Sequence, residues 1–353
     1  MMGKYWEATA DGRFRCVLCP RMCRMAPGQR GFCYVRAATD KGIVLDTYGR
    51  SSGFCIDPIE KKPLNHFLPG TAILSFGTAG CNLGCRFCQN WDISKARQHD
   101  RLMDRATPLQ LATAARKTGC RSVAFTYNDP VVFAEYAIDT AVECRQVGVK
   151  TVAVTAGYIT DRARGEFFSH MDAVNIDLKA FSEEFYKKQC YARLGDVLDT
   201  ISFVVHETDC WLELTTLLIP GANDSDEELQ AMTSWVRQEL GPDVPMHFSA
   251  FHPDFKVMDR PRTPLATLLR ARDIALQNGI NYVYTGNVYH PETDCTRCHQ
   301  CGDMLIERDR YEIGQYAMDG DCCGKCGARV PGLFESQPGS WGRRRQQVNV
   351  GAY

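Results

Sequence analysis

Apolar residues along the chain gather into short continuous runs separated by amphipathic stretches. TAILSFGT from Thr71, SVAFTY from Ser122, KTVAVTA from Lys150, DAVNIDL from Asp172, WLELTTLL from Trp211 and PMHFSAFH from Pro245 are such runs. Runs of this length and β-branched content suit strands buried on both faces of a parallel sheet. YVYTG from Tyr282 offers a seventh, and GIVLDTY from Gly42 an isolated short strand. The intervening stretches read as helices. Thr107-Pro108 opens one that stops at Gly119, and Thr263-Pro264 opens one that stops at Gly279. In both, the spacing predicts an N-cap hydroxyl, proline at the first helical position and glycine just past the end. Ser225 with Glu228 predicts a capping box, followed by one apolar face of Leu229, Met232, Val236 and Leu240.

Strand–helix alternation predicts an α/β fold, a (β/α) barrel or a doubly wound sheet. In either, ligands sit beyond the C-terminal ends of the strands. Four regions are expected: an irregular extension over 1–70, the barrel over 71–290, a Cys-rich module over 291–335 and a flexible tail over 336–353.

Composition changes this picture in one respect. The chain has 353 residues, 44% hydrophobic and 24% charged, with 41 basic against 42 acidic side chains. The balanced charge gives no general field for nucleic acid or an anionic membrane, although GRRRQQ at 342–347 is locally basic. No apolar run approaches a membrane span, and the start MMGKYWEATADGRF lacks a signal-peptide core, so a cytoplasmic location is expected. The departure is the 18 cysteines. Without an export signal, clustered cysteines mean metal rather than disulfides. Three groups stand out: Cys16, Cys19, Cys23 and Cys33; Cys81, Cys85 and Cys88; and Cys295, Cys298 and Cys301 with Cys322, Cys323 and Cys326. Cys120, Cys144, Cys190 and Cys210 stand alone in apolar or helical contexts and read as small buried hydrophobes.

The middle group lies where chemistry is expected, directly after TAILSFGT. Three thiolates spaced x3 and x2 on one loop suit three irons of a [4Fe-4S] cube, leaving the fourth iron open. A structural zinc would need a fourth ligand nearby. Phe87 gives the CxxxCxΦC form of the radical S-adenosylmethionine (SAM) signature and an aromatic wall for a cofactor. Other residues after strands are then candidates. Asn128 and Asp129 follow SVAFTY, with Asp129 a candidate for the methionine ammonium of SAM, a helix N-cap, or both. Asn caps about as well as Asp, so Asp129→Asn is expected to spare stability while weakening SAM binding. Gly157 follows KTVAVTA. Asp177 and Lys179 share one face of DAVNIDLK, where charge must be paired or bind something. Ile219 closes the fifth run as an apolar contact for adenine or as plain core. Lys179 and His252 are the candidate catalytic residues, His252 being the best-placed histidine.

These residues resemble a known family. DPIEKKPLNHFLPGTAILSFGTAGCNLGCRFCQNW, followed by TYNDP, VTAGYI, NIDLKAF, LLIPGANDS and YVYTGNV, is similar to the AmmeMemoRadiSam system radical SAM enzymes, relatives of pyruvate formate-lyase activating enzymes. The likeness spans about residues 12 to 330. The family's TYNEP has Asp129 here, shortening a carboxylate, and its VTNGY has Ala156, removing a polar side chain. The resemblance implies a partial TIM-type (β/α)6 barrel and one SAM-ligated [4Fe-4S] cluster that reductively cleaves SAM to a 5′-deoxyadenosyl radical. It also implies a flavodoxin- or ferredoxin-type electron donor, and association with Memo-type and AMMECR-type proteins; the motifs leave the substrate open. Two readings compete with this one: an activating enzyme for a glycyl radical enzyme, and a non-catalytic metal-stapled binding module.

The outer cysteine groups remain. Cys298-x2-Cys301 and Cys323-x2-Cys326, each followed by glycine, have zinc-ribbon spacing, with Cys295 and Cys322 spare. Cys16, Cys19, Cys23 and Cys33 fit a second zinc or an auxiliary iron–sulfur cluster.

Overall fold

A computed structural model describes residues 1–96 and 104–353 of the chain. Each predicted run forms a strand: Ala72–Phe76, Ser122–Phe125, Lys150–Thr155, Ala173–Asp177, Trp211–Leu218, Met246–Ala250 and Val283–Gly286. They pair in parallel in chain order, so the partial barrel has seven parallel strands rather than six. Helices Pro108–Lys117, Ala134–Gln146, Asp161–Ser169, Leu194–Glu207, Asp226–Trp235 and Leu265–Gln277 make the crossovers. Their small apolar residues (Leu111, Ala112, Ala114 and Ala115 in the first) are wholly buried against the strands. Burial on both faces is why the strands read as continuous apolar runs.

The extension is not separate from the barrel. Its strand Phe54–Pro58 pairs antiparallel with Ala72–Phe76, and Gln346–Gln347 pairs antiparallel with Phe54–Pro58 in turn. Val350 beyond it is buried. The segment expected as a flexible tail therefore lies along a sheet edge, where it covers otherwise unpaired backbone groups. The chain from Ile59 to Leu68 fills the interior: Ile59, Leu64, Phe67 and Leu68 pack against Ile73, Ala124, Val152 and Ala173. At the front, Arg36 forms a buried bidentate ion pair with Glu135, joining the extension to helix Ala134–Gln146.

Helix ends follow expectation in part. Thr107 and Gln110 form a reciprocal capping box. Ser225 accepts from the Glu228 N–H, but the Glu228 carboxylate turns away to accept from Phe181 N–H at 2.7 Å. Thr263 does not cap. Its hydroxyl donates to Leu218 O at 2.6 Å and accepts from Phe251 N–H at 2.9 Å, tying two barrel loops together.

Candidate active site

Strand Ala72–Phe76 runs out into Gly77-Thr78-Ala79-Gly80, and the side chain of Asn128 fixes this turn. Its Oδ1 accepts from Thr78 N–H at 2.8 Å, and its Nδ2 donates to Gly80 O at 2.8 Å and Ala79 O at 3.2 Å. A Cβ at Gly77 would stand 2.6 Å from Asn128 Oδ1, so glycine is required for this clamp. Asn128, expected beside a cofactor, thus positions the cysteine loop while reaching the cavity wall.

The loop opens onto a cavity of about 800 Å³ at the C-terminal ends of the strands, lined by Cys81, Cys85, Phe87 and Cys88. The donor set fits a [4Fe-4S] cube with one open iron: three thiols on one wall, not all gathered within 4.8 Å of one another as the ligands of a single ion would be. Burial pushes the Cys81 thiol up to about 12 and raises Cys88 as well. Cys85 is pulled down to about 7, first by a hydrogen bond with Cys190, with the Lys179 and Lys95 charges adding to it against burial. Cys190 was expected to be a bland core residue. It sits behind Cys85, and its carbonyl accepts the Gly84 N–H at 2.8 Å while Gln189 O accepts the Arg86 N–H at 2.9 Å. Nothing local in the sequence signals this, because the two cysteines meet across a turn-to-loop contact.

Asp129 lines the cavity and is buried. Its Oδ1 accepts from Val131 N–H at 3.0 Å and the Thr155 hydroxyl at 2.9 Å, and its Oδ2 accepts from Ala156 N–H at 2.9 Å. Burial raises its pKa against those bonds. Asp177 and Lys179 both reach the cavity and pair with each other at 2.7 Å. Burial opposes the Lys179 charge, but Asp177 and Cys85 outweigh it and lift its pKa well above the usual lysine value. Phe87 packs on Phe185 at 5.7 Å between ring centroids.

Three expected residues stand off the wall. Gly157, at φ 65°, stays in the turn, and Ala156 takes its place at the cavity. At Ile219 the chain has left its strand and its N–H is captured by Asn223 Oδ1 at 2.7 Å; Leu217 supplies the apolar surface instead. His252 lies outside the cavity with its side chain 52% exposed, hydrogen-bonded through Nδ1 to Gln89 at 3.0 Å. It is a rim residue because its strand ends at Ala250. Sequence reasoning missed the far wall, where Glu60, His247, Arg262, Arg308, Arg310 and Tyr311 line the cavity. Those residues come from the extension, late strands and C-terminal module, and only folding brings them together.

In the C-terminal module, Cys298, Cys301, Cys323 and Cys326 converge with all four sulfurs within 4.8 Å of one another. Cys295 points elsewhere, accepting from Arg308 N–H at 3.2 Å, and Cys322 lies beside Asp321. Among the described residues, no helix is long and apolar enough to cross a membrane.

Residues 76–232 match the family model described as Radical SAM superfamily. The chain is 38% identical over 328 residues to an uncharacterized protein of Methanocaldococcus jannaschii, covering 92% of this chain and 97% of that protein. It is 25% identical over 178 residues to the 4-hydroxyphenylacetate decarboxylase activating enzyme of Clostridioides difficile, covering 47% of this chain and 55% of that protein. A solved domain of a pyruvate-formate lyase-activating enzyme from Bacteroides vulgatus is similar at a TM-score of 0.42 and 18% identity, over 47% of this chain and 99% of that domain.

Proposed function

Because the chain belongs to the radical SAM superfamily, we propose that this enzyme cleaves SAM reductively and abstracts hydrogen from a substrate held in the 800 Å³ cavity, within an AmmeMemoRadiSam system. The observation that carries the reading is three thiols on one loop, after the first barrel strand, all facing that cavity. When bound, a [4Fe-4S] cluster and SAM supply a 5′-deoxyadenosyl radical. The protein's own share is placement. Cys81, Cys85 and Cys88 hold the metal, and Asn128 fixes the loop that carries them. Asp129 presents a locked carboxylate to the SAM ammonium. Asp177 and Lys179 offer a paired charge beside it, Leu217 and Phe87 give apolar cover, and the far wall with Arg262, Arg308 and Arg310 receives the substrate. The C-terminal four cysteines hold zinc. A flavodoxin- or ferredoxin-type donor supplies the electron, with Memo-type and AMMECR-type proteins as partners in the cytoplasm.

A second reading, activation of a glycyl radical enzyme, draws on the 25% identity to an activating enzyme. Here the far wall built from the extension and C-terminal module favours a small substrate over a protein loop. The first test is anaerobic reconstitution with dithionite and SAM. Production of 5′-deoxyadenosine is expected from the native chain and not from the Cys81→Ala, Cys85→Ala, Cys88→Ala variant; equal production by both ends the proposal. An EPR glycyl signal on mixing with a candidate glycyl enzyme would select the second reading.

A further inference from the structure

We infer that Cys16, Cys19, Cys23 and Cys33 bind a second [4Fe-4S] cluster, which takes up electrons for the one held by Cys81, Cys85 and Cys88. The relay role rests on the radical SAM reading; the binding of a cluster does not.

The chain carries its own control for what a single-ion cysteine site looks like. Zinc–sulfur bonds of about 2.3 Å in a tetrahedron place neighbouring sulfurs about 3.8 Å apart. The C-terminal group meets this, with Cys298 and Cys326 sulfurs at 3.6 Å and Cys301 and Cys323 sulfurs at 3.8 Å. The N-terminal group does not. Among the described residues, the C-terminal four are the only metal-ligating side chains, three or more together, that lie within 4.8 Å of one another. Yet Cys16, Cys19, Cys23 and Cys33 all face one small cavity, walled by Leu18, Met25, Val131 and Val132. Four thiols that share a cavity but stand too far apart for one ion match a cube, which spreads its ligands over separate irons. Phe32 N–H donates to Cys23 Sγ at 3.5 Å, the kind of backbone bond that tunes cluster sulfurs. The buried Arg36 guanidinium, paired with Glu135, lies in the same wall.

The second observation is where this site is docked. It grips the radical-site loop on both sides of Cys81. On one side, Cys33 O approaches Gly80 so closely that a Cβ there would stand 2.0 Å from it. On the other, Arg21 Nε donates to Asn82 O at 2.5 Å, and its Nη2 donates to Tyr191 O beside Cys190. A backbone contact from Cys33 through Gly80 to Cys81 therefore links the two cysteine groups. Along it, one electron from a flavodoxin- or ferredoxin-class reductant passes inward; the donor is oxidised by one electron, the cluster held by Cys81, Cys85 and Cys88 is reduced by one, the N-terminal cluster returns to its starting state, and no bond forms or breaks.

Metal analysis of the anaerobically isolated Cys81→Ala, Cys85→Ala, Cys88→Ala chain tests the binding. The expected content is about four irons, about four acid-labile sulfides and about one zinc, with a paramagnetic signal after dithionite. No iron with about two zincs overturns it. If that chain fails to fold, the native chain decides: about eight irons with one zinc supports the inference, and about four irons with one or two zincs overturns it. Because the count is read in a chain that cannot cleave SAM, its failure is separate from failure of the radical SAM reading. For the relay, reduction of the Cys81–Cys88 cluster by reduced ferredoxin, followed by EPR, is expected to slow at least ~10-fold in Cys33→Ser while dithionite reduces both chains alike; equal rates with ferredoxin overturn the relay.

Discussion

Asp129 shows how much a single carboxylate is asked to do. Both oxygens are committed as acceptors: one to Val131 N–H and the Thr155 hydroxyl, the other to Ala156 N–H. As a simple N-cap it would tolerate asparagine. Here an Asn must point its NH2 at one of these donors, leaving a buried donor unpaired at a cost of about 1–3 kcal/mol. Asp129→Asn is therefore expected to lower stability by about that amount as well as SAM affinity, contrary to the sparing of stability that the capping role alone implies. Denaturant unfolding of the variant in the absence of SAM measures it, and an unchanged midpoint would show that the carboxylate is not held as described.

At the scale of elements, what the sequence makes legible is whatever neighbours along the chain decide. The seven strands were readable because burial on both faces leaves continuous apolar runs, and the Thr107 cap because its partner is three residues away. Thr263 looks the same locally but spends its hydroxyl on Leu218 and Phe251. Cys190 beside Cys85, the tail strand on Phe54–Pro58 and the far wall of the cavity likewise depend on partners distant in sequence. The C-terminal module sits between these cases. Its CxxC spacing announced the metal site, but its hairpin, Met304–Asp309 with Glu312–Tyr316, also carries Arg308 to the cavity. Within the module's apolar cluster the buried side chains are Leu305, Ile306 and Val330 with Cys298 and Cys323. The rest of the cluster is only partly buried or borrowed from the barrel (Tyr282, Tyr284), so the metal is expected to hold the module together. Removing that metal, or replacing Cys298 and Cys326 with Ser, is expected to expose residues 296–330 to proteolysis while barrel helicity persists. Limited proteolysis with circular dichroism checks this, and an equally resistant module without metal would make the four thiols a packing feature.

For the whole molecule, one buried network joins the extension, barrel and C-terminal module. Glu213, fully buried, accepts from the N–H groups of Asn65 and His66 and pairs with His247 at 2.7 Å. The His66 ring bridges Pro331 O at 2.8 Å and the Tyr284 hydroxyl at 2.6 Å. With Nδ1–H donating to the Pro331 carbonyl, a neutral ring accepts from the Tyr284 hydroxyl at Nε2. Burial supports that state, lowering the His66 pKa from 6.5 to about 4. The unfolded chain then binds the extra proton between those values, so this contribution is present above pH 6.5 and is lost as pH falls toward 4. Asp294, pushed up to about 7 by burial, acts with the opposite sign in the same range, so the native chain's total pH profile mixes the two. A difference between chains isolates the histidine. Relative to His66→Gln, which cannot titrate, the native chain is expected to lose about 2 kcal/mol of stability between pH 7 and pH 5. Paired denaturation curves at the two pH values give that difference directly. Parallel pH dependence in the two chains would mean that His66 does not hold extension, barrel and module together as a neutral ring.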